Sequence, residues 1–144
     1  MALQSTMYQK QNIDVSAAPW TMHEFFAGSG LVAYGLKGMF APVWANDISE
    51  QKAAVYEANF GCDRFILDDI KNIKGSVLPF AHLSWASFPC QDLSLAGSIG
   101  GIHASRSGLV WEWLRVLDEM DNKPKILLLE NVAGLLSTNG GDNY

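Results

Sequence analysis

The residues with chemistry to offer fall in a few short stretches. Cys90 stands in "WASFPCQDLS" (85–94), behind Pro89 and an apolar lead-in, and the chain has only one other cysteine, Cys62. A thiolate there would be a nucleophile presented at the end of a strand. Free cysteine is also among the most buried residue types, and as a small core residue Cys90 would do no chemistry. Glu130 closes the apolar run "KILLLENV" (125–132). A carboxylate directly after four apolar residues is costly unless it has a partner or a ligand. It is either a salt bridge or helix cap, or a binding or acid group whose partial burial raises its pKa toward neutrality. Asn131 beside it is expected to bond local backbone.

The stretch "FFAGSGLVA" (25–33) places Gly28 and Gly30 at a tight turn, where a ligand can approach bare backbone. Asp47 follows at the end of an apolar run, and a carboxylate there can take both ribose hydroxyls of an adenosine. Gly28, Gly30 and Ala33 also satisfy G-x-G-x-x-A, so a nicotinamide or flavin enzyme is a rival reading, and a turn without a ligand is a third. Asp69 has the chemistry to meet an adenine amino group. Asp68 beside it reads as a solvated loop carboxylate.

The elements that must position these groups alternate. "TMHEFF", "APVWAND", "DRFILDDI", "FAHLSWASF" and "KILLLENV" read as strands. "GLVAYGLKGM" reads as a short helix, and "SEQKAAVYEANFG" as a longer one with Ser49 as N-cap, Glu50 in the first turn and Gly61 as the stop. "LVWEWLRVLDEM" is a helix with Leu109, Trp113, Val116, Leu117 and Met120 on one face. "QDLSLAGSIGGIHASRSG" has no period and reads as a loop. Strands alternating with helices make an α/β fold with a parallel sheet. In such sheets ligands bind at the carboxyl ends of the strands, where Asp47, Asp69, Cys90 and Glu130 all fall.

The 144 residues make one domain, and 49% hydrophobic against 17% charged residues argues for a packed core rather than disorder. Neither cysteine has a neighbour at zinc-ligand spacing, so no metal site is expected, and two distant thiols suggest a reducing compartment. No apolar run approaches a membrane span. The polar N-terminus lacks the apolar stretch of a signal peptide, and residues 1–20 read as a flexible tail. A net charge of −5 argues against this chain gripping nucleic acid over its whole surface. Methyl transfer to an unreactive ring carbon would use a nucleophile, an acid and an adenosine-type cofactor together. A dehydrogenase has no evident need for the cysteine and glutamate pair, although thiol-using dehydrogenases exist.

The sequence resembles the C5-cytosine DNA methyltransferases. "FFAGSG" (25–30), "ND" (46–47), "DDI" (68–70), "FPCQDLS" (88–94), "SRSG" (105–108) and "ENV" (130–132) occur in that family's order and spacing and cover nearly all of the chain after Thr21. The resemblance implies a Rossmann-like methyltransferase fold with strand order 3-2-1-4-5 and S-adenosylmethionine as cofactor. By matching position, Phe26 packs on the cofactor, the Gly28–Gly30 loop skirts its amino-acid end, Asp47 holds the ribose and Asp69 the adenine amino group. Ile48 stands where the family often has a bulky side chain against the adenine, and Leu31 replaces a common second glycine. Cys90 adds to carbon 6 of cytosine, and Glu130 bonds N3 and the exocyclic amine. Phe88, Pro89, Gln91 and Ser94 belong to the loop that closes over the base, with Arg106 a phosphate contact, a loop anchor or a solvated arginine. The base must leave the helix stack to reach such a pocket.

Family chains continue into a motif with paired arginines, a target-recognition region and a terminal segment that returns to the cofactor pocket. Residues 21–144 are therefore expected to be a partial catalytic domain lacking its C-terminal strands, from a cut chain or a split enzyme, and inactive alone. The expected partners are double-stranded DNA in the complete enzyme, a missing C-terminal half or complementary subunit, and a second copy through an exposed edge of "KILLLENV". A tRNA cytosine methyltransferase and a non-catalytic cofactor-binding subunit are the alternatives. The family suggests a cytoplasmic prokaryotic or phage protein of a restriction-modification system.

Overall fold

The computed structural model describes residues 17–89 and 108–133. Its strands are β1 (Trp20–Phe25), β2 (Phe40–Asp47), β3 (Phe65–Leu67), β4 (Leu83–Ala86) and β5 (Ile126–Leu129), and its helices are α1 (Leu31–Gly35), α2 (Glu50–Phe60) and α3 (Leu109–Asp118). All strand pairs are parallel, and the order is β3-β2-β1-β4-β5, as the resemblance implied. The chain leaves β1 toward β2 on one side and returns to β4 on the other. A crevice therefore opens at the carboxyl ends of β1 and β4.

Alternation along β1 sends Met22 and Glu24 to one face and His23 and Phe25 to the other, and all four are buried because helices cover both faces. Met22 and Leu83 pack with Ala33 of α1, and Ala45 and Phe65 with Ala53 and Tyr56 of α2. The opposite face packs Phe25, Trp44 and Ala86 on Trp113, Val116, Leu117 and Met120, the stripe read from the sequence, with Leu109 partly buried against it. The β1–β2 register slips after Met22, where Val43 is skipped beside Pro42. Proline has no N–H for the ladder, so a bulge belongs there.

Caps fall where composition places them. Ser49 accepts the Lys52 amide hydrogen, and Gly61 ends α2 at φ 83°. Other boundaries move. The third strand, expected over 63–70, keeps only three residues. The Asn46 amide donates to the Ile66 carbonyl at 2.9 Å and to the Asp68 carbonyl at 2.8 Å, fixing the turn that follows. In place of a helix between β3 and β4 the chain makes two 3-10 turns, Ile70–Asn72 and Gly75–Val77. Arg115 of α3 donates to the carbonyls of Ile70 and Ile73, both at 3.1 Å, and the Gly75 amide donates to Glu119 at 2.8 Å. A Cβ on Gly75 would lie 1.9 Å from the Val116 carbonyl oxygen, so only glycine allows this approach.

β5 is the open edge of the described sheet. Ile126, Leu127, Leu128 and Leu129 are all exposed, on both faces.

Candidate functional site

The turn after β1 is wound through left-handed backbone. Phe26, Gly28 and Gly30 have φ of 56°, 58° and 85°. Phe26 is the only such non-glycine among the described residues, and a bulky side chain is held in that region only when its surroundings impose it. Here the Ala27 amide donates to the Asn46 carbonyl at 2.8 Å, and the Gly28 amide to Asp47 Oδ2 at 2.9 Å. Asp47 Oδ1 accepts from the Ser49 amide at 2.9 Å. One buried carboxylate thus fixes the glycine turn and the entry to α2, with lone pairs left for a further donor.

Two cavities meet at this turn. The first, about 390 Å³, is lined by Asp47, Ile48, Asp69 and Pro89 among others. The second, about 380 Å³, is lined by Gly28, Ser87, Glu130 and a residue the motifs did not single out, Glu24. Phe26 and Lys52 line both. Asp69 is held by accepting the Lys71 amide hydrogen at 3.0 Å. Asp68, read as a solvated carboxylate, is exposed but fixes the turn: it accepts from the Asp69 amide at 2.7 Å and from Asn72 at 2.8 Å. Gly30 lines neither cavity. A Cβ there would lie 2.5 Å from the Phe60 ring and 2.9 Å from Tyr56, so its glycine serves close packing of α2.

The carboxyl end of β5 reaches the same place. The Glu130 amide donates to the Ala86 carbonyl at 2.9 Å, and the Asn131 amide group donates to the Phe88 carbonyl at 3.1 Å. Asn131 Oδ1 also accepts from Val132, the local bond expected, but its longer reach ties β5 to the segment leading into Cys90. Phe88 is buried and Pro89 exposed. Cys90, Gln91, Ser94 and Arg106 lie outside the described residues.

Glu130 is exposed where β5 forms the open edge of the described sheet, so the partial burial that one of its two readings invoked is not seen. The buried acid is Glu24, only 1% exposed, and neither carboxylate oxygen has a hydrogen-bond partner. Burial pushes its pKa up to about 8; the nearby amides of Ala33 and Val32 oppose this without closing a hydrogen bond. The Tyr56 hydroxyl is also buried without a partner, and burial, then the charge of Glu24, push its pKa up. On the opposite face, desolvation lowers the pKa of His23, whose Nε2 lies 2.7 Å from the Pro79 carbonyl. One signal for Glu24 was available in the sequence: an acid inside an apolar strand that runs straight into a glycine turn.

The model of the family described as C-5 cytosine-specific DNA methylase matches residues 20–144. The chain belongs to that family. It is 36% identical over 122 residues to the Type II methyltransferase M.Bsp6I of Bacillus sp. (strain RFL6), a match over 83% of this chain and 38% of that protein. It is 31% identical over 138 residues to M.BsuFI of Bacillus subtilis, over 95% of this chain and 32% of the relative. It therefore spans well under half the length of these relatives. Among solved structures, S. pombe Dnmt2 methyltransferase aligns with TM-score 0.66 at 25% identity, over 86% of this chain and 39% of that one. The family's cofactor is S-adenosylmethionine, and the fold is the methyltransferase fold the resemblance implied. The nicotinamide reading of the glycine turn is thereby set aside. No helix among the described residues is long and apolar enough to cross a membrane.

Proposed function

We propose that this chain is the cofactor-binding and nucleophile-bearing part of a DNA cytosine C5-methyltransferase. The observation that carries the reading is the pair of cavities sharing Phe26 and Lys52 at the carboxyl ends of the strands. The cavities fit the cofactor by chemistry. Ribose hydroxyls and an adenine amino group are donors, and Asp47 and Asp69 offer acceptors in the first cavity. The ammonium of the amino-acid end suits the second, where both Glu24 oxygens lack a partner. When bound, S-adenosylmethionine supplies an electrophilic methyl group.

The chain's own residues do the rest. Carbon 5 of cytosine is a poor nucleophile. The Cys90 thiolate adds to carbon 6, and carbon 5 becomes electron-rich. Glu130 holds N3 and the exocyclic amine as charge builds on the ring. Once carbon 5 is methylated, loss of its proton and expulsion of Cys90 restore the aromatic ring and the thiolate. Asn131 supports this by holding the end of β5 against Phe88, two residues before Cys90. The base enters flipped from the duplex, and the loop bearing Gln91, Ser94 and Arg106 closes over it. DNA contacts belong mainly to further polypeptide, in keeping with a net charge of −5. That polypeptide, or failing it a second copy, covers the exposed face and edge of β5. The setting is the cytoplasm of a prokaryote or of a phage-infected cell.

Titration calorimetry of the chain with S-adenosylhomocysteine and with NAD tests the cofactor reading. Binding of the former alone is expected. Binding of NAD without S-adenosylhomocysteine would overturn it.

A further inference from the structure

The second cavity holds a charge pattern that the shared motifs do not explain. Its ionisable lining residues are Glu24 from β1, Lys52 from α2 and Glu130 after β5. Glu24 forms a buried acidic wall, and Glu130 adds a second carboxyl. Glu130 repels a ligand's own carboxylate, and Glu24 does so once a bound ammonium favours its ionised form, unless a cation meets that carboxylate. Among the described residues, Lys52 is the one cation on this lining. It follows the Ser49 cap by three residues, and its Cδ lies 3.9 Å from where a Cβ on Gly28 would be. Its stem therefore runs along the glycine turn, with a flexible ammonium at the end.

We propose that Lys52 recognises the carboxylate of the cofactor's amino-acid tail, so that Glu24 and Lys52 clamp a zwitterion from opposite sides. The inference rests on the S-adenosylmethionine reading and deepens it. Glu24 takes the ammonium from within the cavity, and Lys52 takes the carboxylate from the exposed side. Lys71, the other cation near the site, lines only the first cavity beside Asp69 and is not placed to share the task. Lys52 is then a specificity residue: it favours cofactors that keep the α-carboxylate and leaves recognition of the adenosine unchanged.

Affinities of the chain for S-adenosylmethionine, decarboxylated S-adenosylmethionine and 5′-methylthioadenosine test this. The decarboxylated ligand keeps the ammonium and the sulfonium, and methylthioadenosine lacks the whole tail. Wild type should prefer S-adenosylmethionine to its decarboxylated form by about tenfold, the scale of one charge-assisted contact at a half-open site. Lys52→Met should erase that preference and leave methylthioadenosine unchanged, while Lys52→Arg should retain most of it. Methionine matches lysine in helix propensity, so α2 should be undisturbed. If Lys52→Met weakens all three ligands alike, or none, Lys52 has no such role although the cofactor reading stands. If wild type binds none of the three, the cofactor reading falls and this inference falls with it.

Discussion

The Asp47 carboxylate accepts the Gly28 amide hydrogen at 2.9 Å, joining the end of β2 to the turn after β1. Its other oxygen holds the Ser49 amide at the same distance, so Asp47 shapes the site before any ligand arrives. Asp47→Ala would leave two backbone donors without their partner and should destabilise the chain by about 2–4 kcal/mol. Urea denaturation should show a lower midpoint, together with loss of S-adenosylhomocysteine binding. An unchanged midpoint would mean that these bonds do not hold the turn.

Gly30→Ala tests a different link, from glycine to packing. The new methyl group would meet Phe60 and Tyr56 at 2.5 and 2.9 Å, on backbone with φ of 85°. The expected cost is about 2–4 kcal/mol, from overpacking plus a left-handed conformation. Wild-type stability in this variant would show that α2 yields more readily than its contacts imply.

Glu24 should make stability fall as pH rises. Its folded pKa, about 8, lies above its ordinary value of 4.5, so the folded state holds a proton that the unfolded state has released. Stability is then fully present below the unfolded value and is lost as pH rises through the folded one, at up to about 1.4 kcal/mol per pH unit. His23 acts in the opposite sense: its lowered pKa costs stability as pH falls below 6.5, so the range from 6.5 to 8 reports on Glu24. Thermal unfolding across that range should show the decline, and Glu24→Gln should flatten it. An equal slope in both proteins would assign the titration elsewhere.

Much of this arrangement was legible in the sequence. Ser49, Gly61 and the α3 stripe are local signals, and α3 buries the residues its period selects. The order of strands and motifs also placed Asp47, Asp69 and Glu130 at one end of the sheet. Glu24 was missed because strand alternation suggests a wet face for its polar residue, whereas central β1 has none. The 3-10 turns were missed for another reason. They are held by Arg115 and Glu119, more than forty positions away, and no local pattern encodes that contact. Lys52 reads as one more helix lysine until the fold lays it beside Gly28.

The β5 edge predicts association. Its four aliphatic side chains, and a backbone edge unpaired among the described residues, invite a partner. Light scattering of the 144-residue chain after size exclusion should show species larger than 15.8 kDa, and Leu128→Lys should reduce them. A stable monomer at high concentration would show that the edge is harmless.

Covalent trapping tests the central claim most directly. The protein carrying these residues, together with any further polypeptide its activity needs, is incubated with S-adenosylmethionine and duplex DNA containing 5-fluorocytosine at the target position. Fluorine at carbon 5 cannot leave as a proton does, so the adduct should persist after methyl transfer. Mass spectrometry of the digested complex should place the modified base on Cys90, and Cys90→Ser should abolish the cross-link. Asn131→Ala should slow trapping by roughly tenfold, by loosening the tie to Phe88, and leave cofactor affinity unchanged. A cross-link that survives Cys90→Ser, or one mapped to another residue, would contradict the assignment of Cys90 as the nucleophile.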